Sequence, residues 1–137
     1  MSDRGLFLLH TIGNCETTTV VDPWIEKYIF PNSMAPSMAQ LAQAAEQVFA
    51  IHDWENYGHY YAPTLAAWHR NFEDNWPKIQ AIENAQRFDE RFRRMFTYYF
   101  LACQAAFETE HLFLWHLVMS KQSQSQGVYP RVNLLNG

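Results

Sequence analysis

The sequence predicts an α/β fold whose strands form one end of a larger sheet. Three observations carry this expectation. Runs at residues 5–12, 48–54 and 112–119 read as strands, the first and last of them continuously apolar, the pattern of strands covered on both faces. Helical patterns separate these runs, as in sheets layered with helices. The first run also reads as a central strand although it lies close to the start of the chain. A strand buried on both faces needs neighbours on both sides, and two other strands do not readily supply them.

The elements follow in order. Gly5-Leu-Phe-Leu-Leu-His-Thr-Ile12 is the first strand, and Gly13-Asn14 is expected to end it. Residues 14–22 are polar and Thr-rich, a loop. Asp22-Pro23 opens a short helical turn, with Asp as cap and Pro at the first helical position. Ser37-Met-Ala-Gln40 has capping-box spacing and starts an Ala- and Gln-rich helix to about Gln47. Val48 to Trp54 is the second strand, closed by Asn56-Tyr-Gly58. Pro63 marks the expected start of a long helix whose apolar face carries Tyr61, Leu65, Trp68 and Phe72. Trp76-Pro77 bends or ends it. A second long helix is predicted from about Phe88 to Thr109, with a stripe of Phe88, Phe92, Phe96, Tyr99, Cys103 and Phe107. Leu112 to Met119 is the third strand. Residues 1–121 therefore form the folded portion, with helices filling about 60–110, and the Ser/Gln-rich residues 122–137 are expected to be a flexible tail.

Composition narrows the function. The chain has 137 residues, a single-domain length, and 48% hydrophobic against 18% charged residues excludes an intrinsically disordered chain. Ten Phe, seven Tyr and five Trp point to a large apolar core or pocket. A net charge of -4 gives no general reason to expect nucleic acid as a partner. Two cysteines, Cys15 and Cys103, are too few for a disulfide scaffold, which makes a reducing cytoplasm the default. The most apolar run, Tyr98 to Phe107, is about half the ~20 residues a membrane span needs.

Few residues stand out as chemistry. His10 lies near the carboxyl end of the first strand, where ligands bind in open α/β sheets; a satisfied core histidine has the same local pattern. Tyr61 falls at the start of the first long helix, where free N–H groups favour an anion; packing within its stripe is the alternative. Arg87, Arg91 and Arg94 share a helical face that suits acidic lipid head groups, but Glu83 and Glu90 lie at pairing distance from Arg87 and Arg94, which favours a solvated face. Glu108-Thr-Glu-His111 has the Glu-x-x-His spacing of di-iron bundles, yet it occurs once where such a site needs two. Cys103 sits on an apolar stripe without a neighbouring base. Glycines at 5, 13, 58, 127 and 137 are too dispersed for a nucleotide-binding loop.

Taken together, the stretches Gly5-Leu-Phe-Leu-Leu-His-Thr-Ile-Gly13, Val21-Asp-Pro-Trp-Ile-Glu-Lys-Tyr-Ile-Phe-Pro31, Trp54-Glu-Asn-Tyr-Gly58, Tyr61 with Thr64-Leu65 and Trp68, Glu90-Arg-Phe-Arg-Arg-Met-Phe-Thr-Tyr-Tyr99 and Leu114-Trp115 run in order over nearly the whole chain. In this combination the chain resembles the C-terminal portion of cyclopropane-fatty-acyl-phospholipid synthases, relatives of the mycolic acid cyclopropane synthases. The resemblance implies the last three strands of a Rossmann-like S-adenosylmethionine methyltransferase sheet, with the two long helices inserted before the last strand over an acyl pocket. It implies methyl transfer from the sulfonium to a cis double bond of a phospholipid acyl chain, then proton loss from the new methyl and ring closure. A methyl branch or a hydroxyl is the outcome in other relatives.

Further expectations follow from the resemblance alone. Bicarbonate, the base of the family reaction, would be held by His10, the backbone at Ile12, and Tyr61. Tyr99, Cys103 and Phe107 would line the acyl channel. The family's glycine-rich cofactor loop and its Glu and Cys bicarbonate ligands fall upstream of His10, so this chain alone is expected to be inactive without an N-terminal cofactor half. Residues 80–86 look like a short insertion. The expected partners are an unsaturated phospholipid at the membrane surface, the cofactor half and, through the exposed edge of the first strand, a second copy of the chain. The expected place is the cytoplasm, peripheral to the inner membrane. The rival readings are a non-catalytic lipid-binding or regulatory remnant and a helical metal protein built on Glu108 and His111.

Overall fold

The computed structural model describes residues 5–82 and 87–122. In chain order the elements are β1 (Leu6–Asn14), α1 (Pro23–Tyr28), α2 (Met38–Ala45), β2 (Phe49–Asn56), α3 (Gly58–Asp74), α4 (Trp76–Gln80), α5 (Glu90–Glu108) and β3 (Leu112–Lys121). The strands form one sheet in the order β1-β3-β2. The last strand thus lies between the other two and runs antiparallel to both. That position explains its sequence. Leu114, Trp115, Leu117 and Met119 of β3 are all buried, and a strand covered on both faces needs no polar alternation.

β1 has the same composition but a different environment. It is an edge strand here, and Leu6, Phe7 and Leu8 are exposed. Its apolar run therefore fits a sheet that continues past its outer edge.

The local signals at helix starts are realised. Asp22 caps α1, its carboxylate accepting from the N–H groups of Trp24 and Ile25 at 2.9 Å. Ser37 and Gln40 form the reciprocal capping box of α2. Asp89, not singled out in the sequence, caps α5 by accepting from Phe92 N–H at 2.8 Å.

Several expectations shift. Gly13 and Asn14 do not end β1 but continue it, because Gly13 serves a close approach rather than a turn. A Cβ there would lie 2.3 Å from Cζ3 of Trp115. His10 consequently sits in the middle of β1, not near its carboxyl end. Pro63 lies inside α3, which starts five residues earlier at Gly58. The start is held from outside: Asn56 Oδ1 accepts from Gly58 N–H and from Leu114 N–H of β3, and Tyr57 N–H donates to Leu114 O at 2.7 Å. The Tyr61–Leu65–Phe72 stripe is real, but Trp68 is exposed. In α5 the stripe misses Phe100, which with Phe107 is what the helix buries.

Two cores result, one on each face of the sheet. On one face α3 and α5 pack on β1 and β3 around Ala62, Leu65, Phe100, Phe107 and Leu114. On the other face α2 covers Trp115, Leu117 and Met119, with Trp54 edge-on to Trp115 and Phe113 stacked on it. Between α3 and α5, Glu73 accepts from Arg93 and, at 3.0 Å, from the hydroxyl of Thr97. Arg93 also lies over the Trp76 ring, 5.8 Å from its centroid. The Arg93 guanidinium holds the Glu73 carboxyl below its usual range. The insertion expected at 80–86 and the tail expected at 122–137 fall almost entirely outside the described residues.

Candidate acyl channel and anion site

Alternation along β1 puts His10 and Ile12 on the sheet face that α3 and α5 cover. The antiparallel register sets Ile12 opposite Leu114 and His10 opposite His116. Ile12, Tyr61, Tyr99 and Cys103 all pack against the same core, which includes Phe107. The structure therefore brings together five of the six residues singled out for the anion site and the channel. They come from β1, α3 and α5, which converge because α3 is pinned to β3 at Leu114.

The sixth, His10, has a different partner. Its Nδ1 lies 2.7 Å from Nε2 of His116, one ring donating to the other. The Tyr57 ring lies tilted against His116, centroids 4.6 Å apart. Nothing local in the sequence marks His116 as a site residue. Antiparallel pairing of the first and last runs would have revealed it.

Tyr61 stands in the first turn of α3, with its ring against Phe107 at 4.9 Å and edge-on to Trp68 at 5.7 Å. Its hydroxyl has no hydrogen-bond partner among the described residues. Burial raises its pKa, so the phenol stays protonated and can donate. Tyr99 and Cys103 are one turn apart on α5. Burial pushes Tyr99 up to about 12 and Cys103 up to about 11. A thiol so placed is a neutral, soft apolar group, not a nucleophile. The lining is thus aromatic and uncharged, with phenol hydroxyls set into it.

Glu108 and His111 do not form a metal site together. Glu108 accepts from Gln104 at 2.8 Å and His111 bonds the Thr109 hydroxyl at 3.0 Å. Among the described residues no group of three or more His, Cys, Asp or Glu side chains is placed to hold a metal. Among them, too, no helix is long and apolar enough to cross a membrane.

Comparisons with known proteins bear on the family and the fold. The sequence model of the family described as mycolic acid cyclopropane synthetase matches residues 1–117. The chain belongs to this family. It is 48% identical over 121 residues to the cyclopropane-fatty-acyl-phospholipid synthase of Escherichia coli K12, covering 88% of this chain and 30% of the relative. It is 38% identical over 84 residues to the synthase of the same name from Citrobacter freundii, covering 61% of this chain and 89% of that one. The chain thus spans about a third of the length of the Escherichia coli relative.

Among solved structures, the fold matches the cyclopropane synthase MmaA2 of Mycobacterium tuberculosis with a TM-score of 0.71, at 19% identity over 88% of this chain and 46% of that one. It also matches the mycolic acid cyclopropane synthase CmaA1 complexed with SAH and CTAB, with a TM-score of 0.68, at 21% identity over 85% and 44%. These likenesses show an α/β fold shared with part of the cyclopropane synthases.

The described residues do not themselves fit an adenosyl cofactor. A glycine cradle needs open space where a Cβ would stand. At Gly13 the Trp115 ring fills that space, and at Gly58 the side chain of Asn56 and the backbone of β3 do.

Proposed function

We propose that this chain is the C-terminal portion, residues 1–121, of an S-adenosylmethionine-dependent methyltransferase that cyclopropanates or methylates unsaturated phospholipid acyl chains. The carrying observation is the convergence of Ile12, Tyr61, Tyr99, Cys103 and Phe107 on one core beneath α3 and α5. The remainder of the catalytic domain, with the cofactor loop, would add to the unpaired edge of β1, where Leu6, Phe7 and Leu8 are exposed. The isolated chain would then bind no cofactor and be inactive, and would use that edge to pair with a second copy of itself.

Within this reading the chain's own residues have distinct tasks. Tyr99, Cys103 and Phe107 hold the acyl chain and exclude water. Their neutral faces, aromatic above all, suit a carbocation, which a charged nucleophile would trap. Tyr61 donates its phenol proton as a hydrogen bond to a small anion, and His10 and the Ile12 backbone complete the seat. Bicarbonate, when bound there, supplies the base of the reaction. His116 orients His10 through their shared ring hydrogen bond. The substrate would be reached from the cytoplasmic surface of the membrane.

A chimera tests this. Replacing the matching third of the Escherichia coli synthase with this chain should yield an enzyme that adds one methylene unit per unsaturated acyl chain, read by lipid mass spectrometry. His10→Ala and Tyr61→Phe should each cut that yield by about a hundredfold or more, because without its seat the anion that supplies the base is lost. A folded chimera that binds unsaturated acyl chains but never adds the methylene would sink the catalytic reading and favour the non-catalytic remnant.

A further inference from the structure

α1 and the first turns of α5 meet in a shallow groove that the acyl channel does not use. Trp24, Tyr28, Arg91, Arg94, Met95 and Tyr98 line it. Trp24 stands edge-on to Tyr98 with centroids 4.5 Å apart, and on to Tyr28 at 5.5 Å. Arg91 and Arg94 are both exposed. The expected pairing of Glu90 with Arg94 is not formed: Glu90 lies 3.8 Å from Arg93 instead, and Arg93 is also paired with Glu73. Among the described residues neither Arg91 nor Arg94 forms a salt bridge. Lys27 adds a third cation, its Nζ 5.1 Å from the centre of the Tyr28 ring. Two guanidinium groups one turn apart, without a salt bridge among the described residues and with Arg91 beside the Tyr28 hydroxyl, combine a phosphate fork with the Trp and Tyr side chains favoured at membrane interfaces.

The groove is also placed for a lipid. Phe30, just past α1, packs edge-on against the channel residue Tyr99. From Arg94 to Cys103 is nine residues of helix, about 14 Å, close to the ~15 Å hydrocarbon half-thickness of a bilayer. A head group held at Arg94 therefore leaves the middle of its acyl chain within reach of the channel.

We propose that this groove seats the phosphodiester of a phospholipid head group at a membrane surface, with Arg91 and Arg94 as its ligands and Trp24, Tyr28 and Tyr98 as its rim. The inference deepens the acyl-chain reading above and rests on it for the route from groove to channel. The whole-chain charge of -4 works against any diffuse attraction to an anionic surface, so binding requires a local seat.

Flotation of the full chain with vesicles of equal parts phosphatidylcholine and phosphatidylglycerol tests it, with pure phosphatidylcholine vesicles for comparison. The expected result is partition onto the mixed vesicles that falls about tenfold or more in the double variant Arg91→Gln, Arg94→Gln, since each basic group near the surface contributes about fivefold. The control Arg70→Gln, which removes one exposed charge on α3, should lose less than twofold. The charge-preserving double variant Arg91→Lys, Arg94→Lys should recover only part of the binding, because an ammonium lacks the planar fork. Unchanged melting temperatures would show that the variants fold. Absence of wild-type binding to the mixed vesicles, full binding by the glutamine variant, or full recovery by the lysine variant would each overturn the proposal. A chimera without methylene transfer but with arginine-dependent flotation would sink the catalytic reading and leave the seat standing. Flat flotation with an active chimera would do the reverse.

Discussion

The two faces of the sheet are built from similar residues to opposite ends. On the α2 face, Trp115, Leu117 and Met119 are buried to 3% exposure or less, and the Trp115 ring fills the space that a side chain on Gly13 would need. On the α3–α5 face the buried centre is ringed by half-buried groups, among them Tyr61, Tyr99 and Cys103, which bring hydroxyls and a thiol into apolar surroundings. Unpartnered polar groups are not confined to that face, since the indole N–H of Trp54 is buried on the α2 side without a partner among the described residues. The contrast is therefore between a tightly packed face and a loosely packed one.

The sharpest way to break this contrast is to truncate one leucine on each face. Leu117 and Leu65 are each 1% exposed. Leu117→Ala should cost about 4–5 kcal/mol, the upper end for such a cavity, because rigid stacked rings surround it. Leu65→Ala should cost about 2–3 kcal/mol, because the half-buried side chains around it can move inward. Urea unfolding monitored by circular dichroism measures both, and equal or reversed costs would remove the distinction. Gly13→Ala comes next. Its Cβ cannot enter without displacing the Trp115 ring, at a cost of about 1–3 kcal/mol. Trp fluorescence should shift in the folded variant if the ring has moved, and an unshifted spectrum with full stability would show the approach to be unimportant.

These positions also show what could be read in advance. Two helix starts were legible because caps are local: Asp22 and Ser37 each satisfy N–H groups within three residues of themselves. The doubly buried character of β3 was legible because it is carried by its own run of side chains. The role of Gly13 was not, since a glycine needed for close approach depends on a tryptophan about a hundred residues away. For the same reason the His10–His116 pair stayed hidden until the register was known. Channel residues on α5 were assigned by resemblance, yet Phe100, the residue most deeply placed in the turn between Phe96 and Cys103, was passed over. A period-four stripe drifts around a 3.6-residue helix, so the buried line moves off it. Trp68 errs for the related reason that a helix face is wider than the surface it covers.

Alkaline titration sharpens the contrast from the α3–α5 face. Cys103 and Tyr99 have folded-state values near 11 and 12, above the ordinary 9.0 and 10.0. As pH rises past the ordinary values the unfolded chain loses these protons first. The stability they confer is therefore complete below about pH 9 and drains away as pH climbs toward 12. Melting curves recorded from pH 8 upward should show this loss, and the double variant Tyr99→Phe, Cys103→Ala should flatten the profile relative to wild type. An unchanged slope in that variant would mean that the two groups are hydrated in the folded chain.

The smallest effect is on a reaction rate and separates the two cysteines. Cys15 is exposed beyond the end of β1, whereas Cys103 is half-buried with a raised pKa. Alkylation by iodoacetamide requires thiolate. At pH 8, a thiol shifted from 9.0 to about 11 has roughly a hundredfold less thiolate, so Cys15 should be modified first and Cys103 last, as read by mass spectrometry of the digested chain. An unsaturated acyl ligand in the channel should slow Cys103 further and leave Cys15 untouched. Equal rates at the two sites without ligand would mean that water already reaches the channel, and the α3–α5 face would then be an open cleft instead of a sealed pocket.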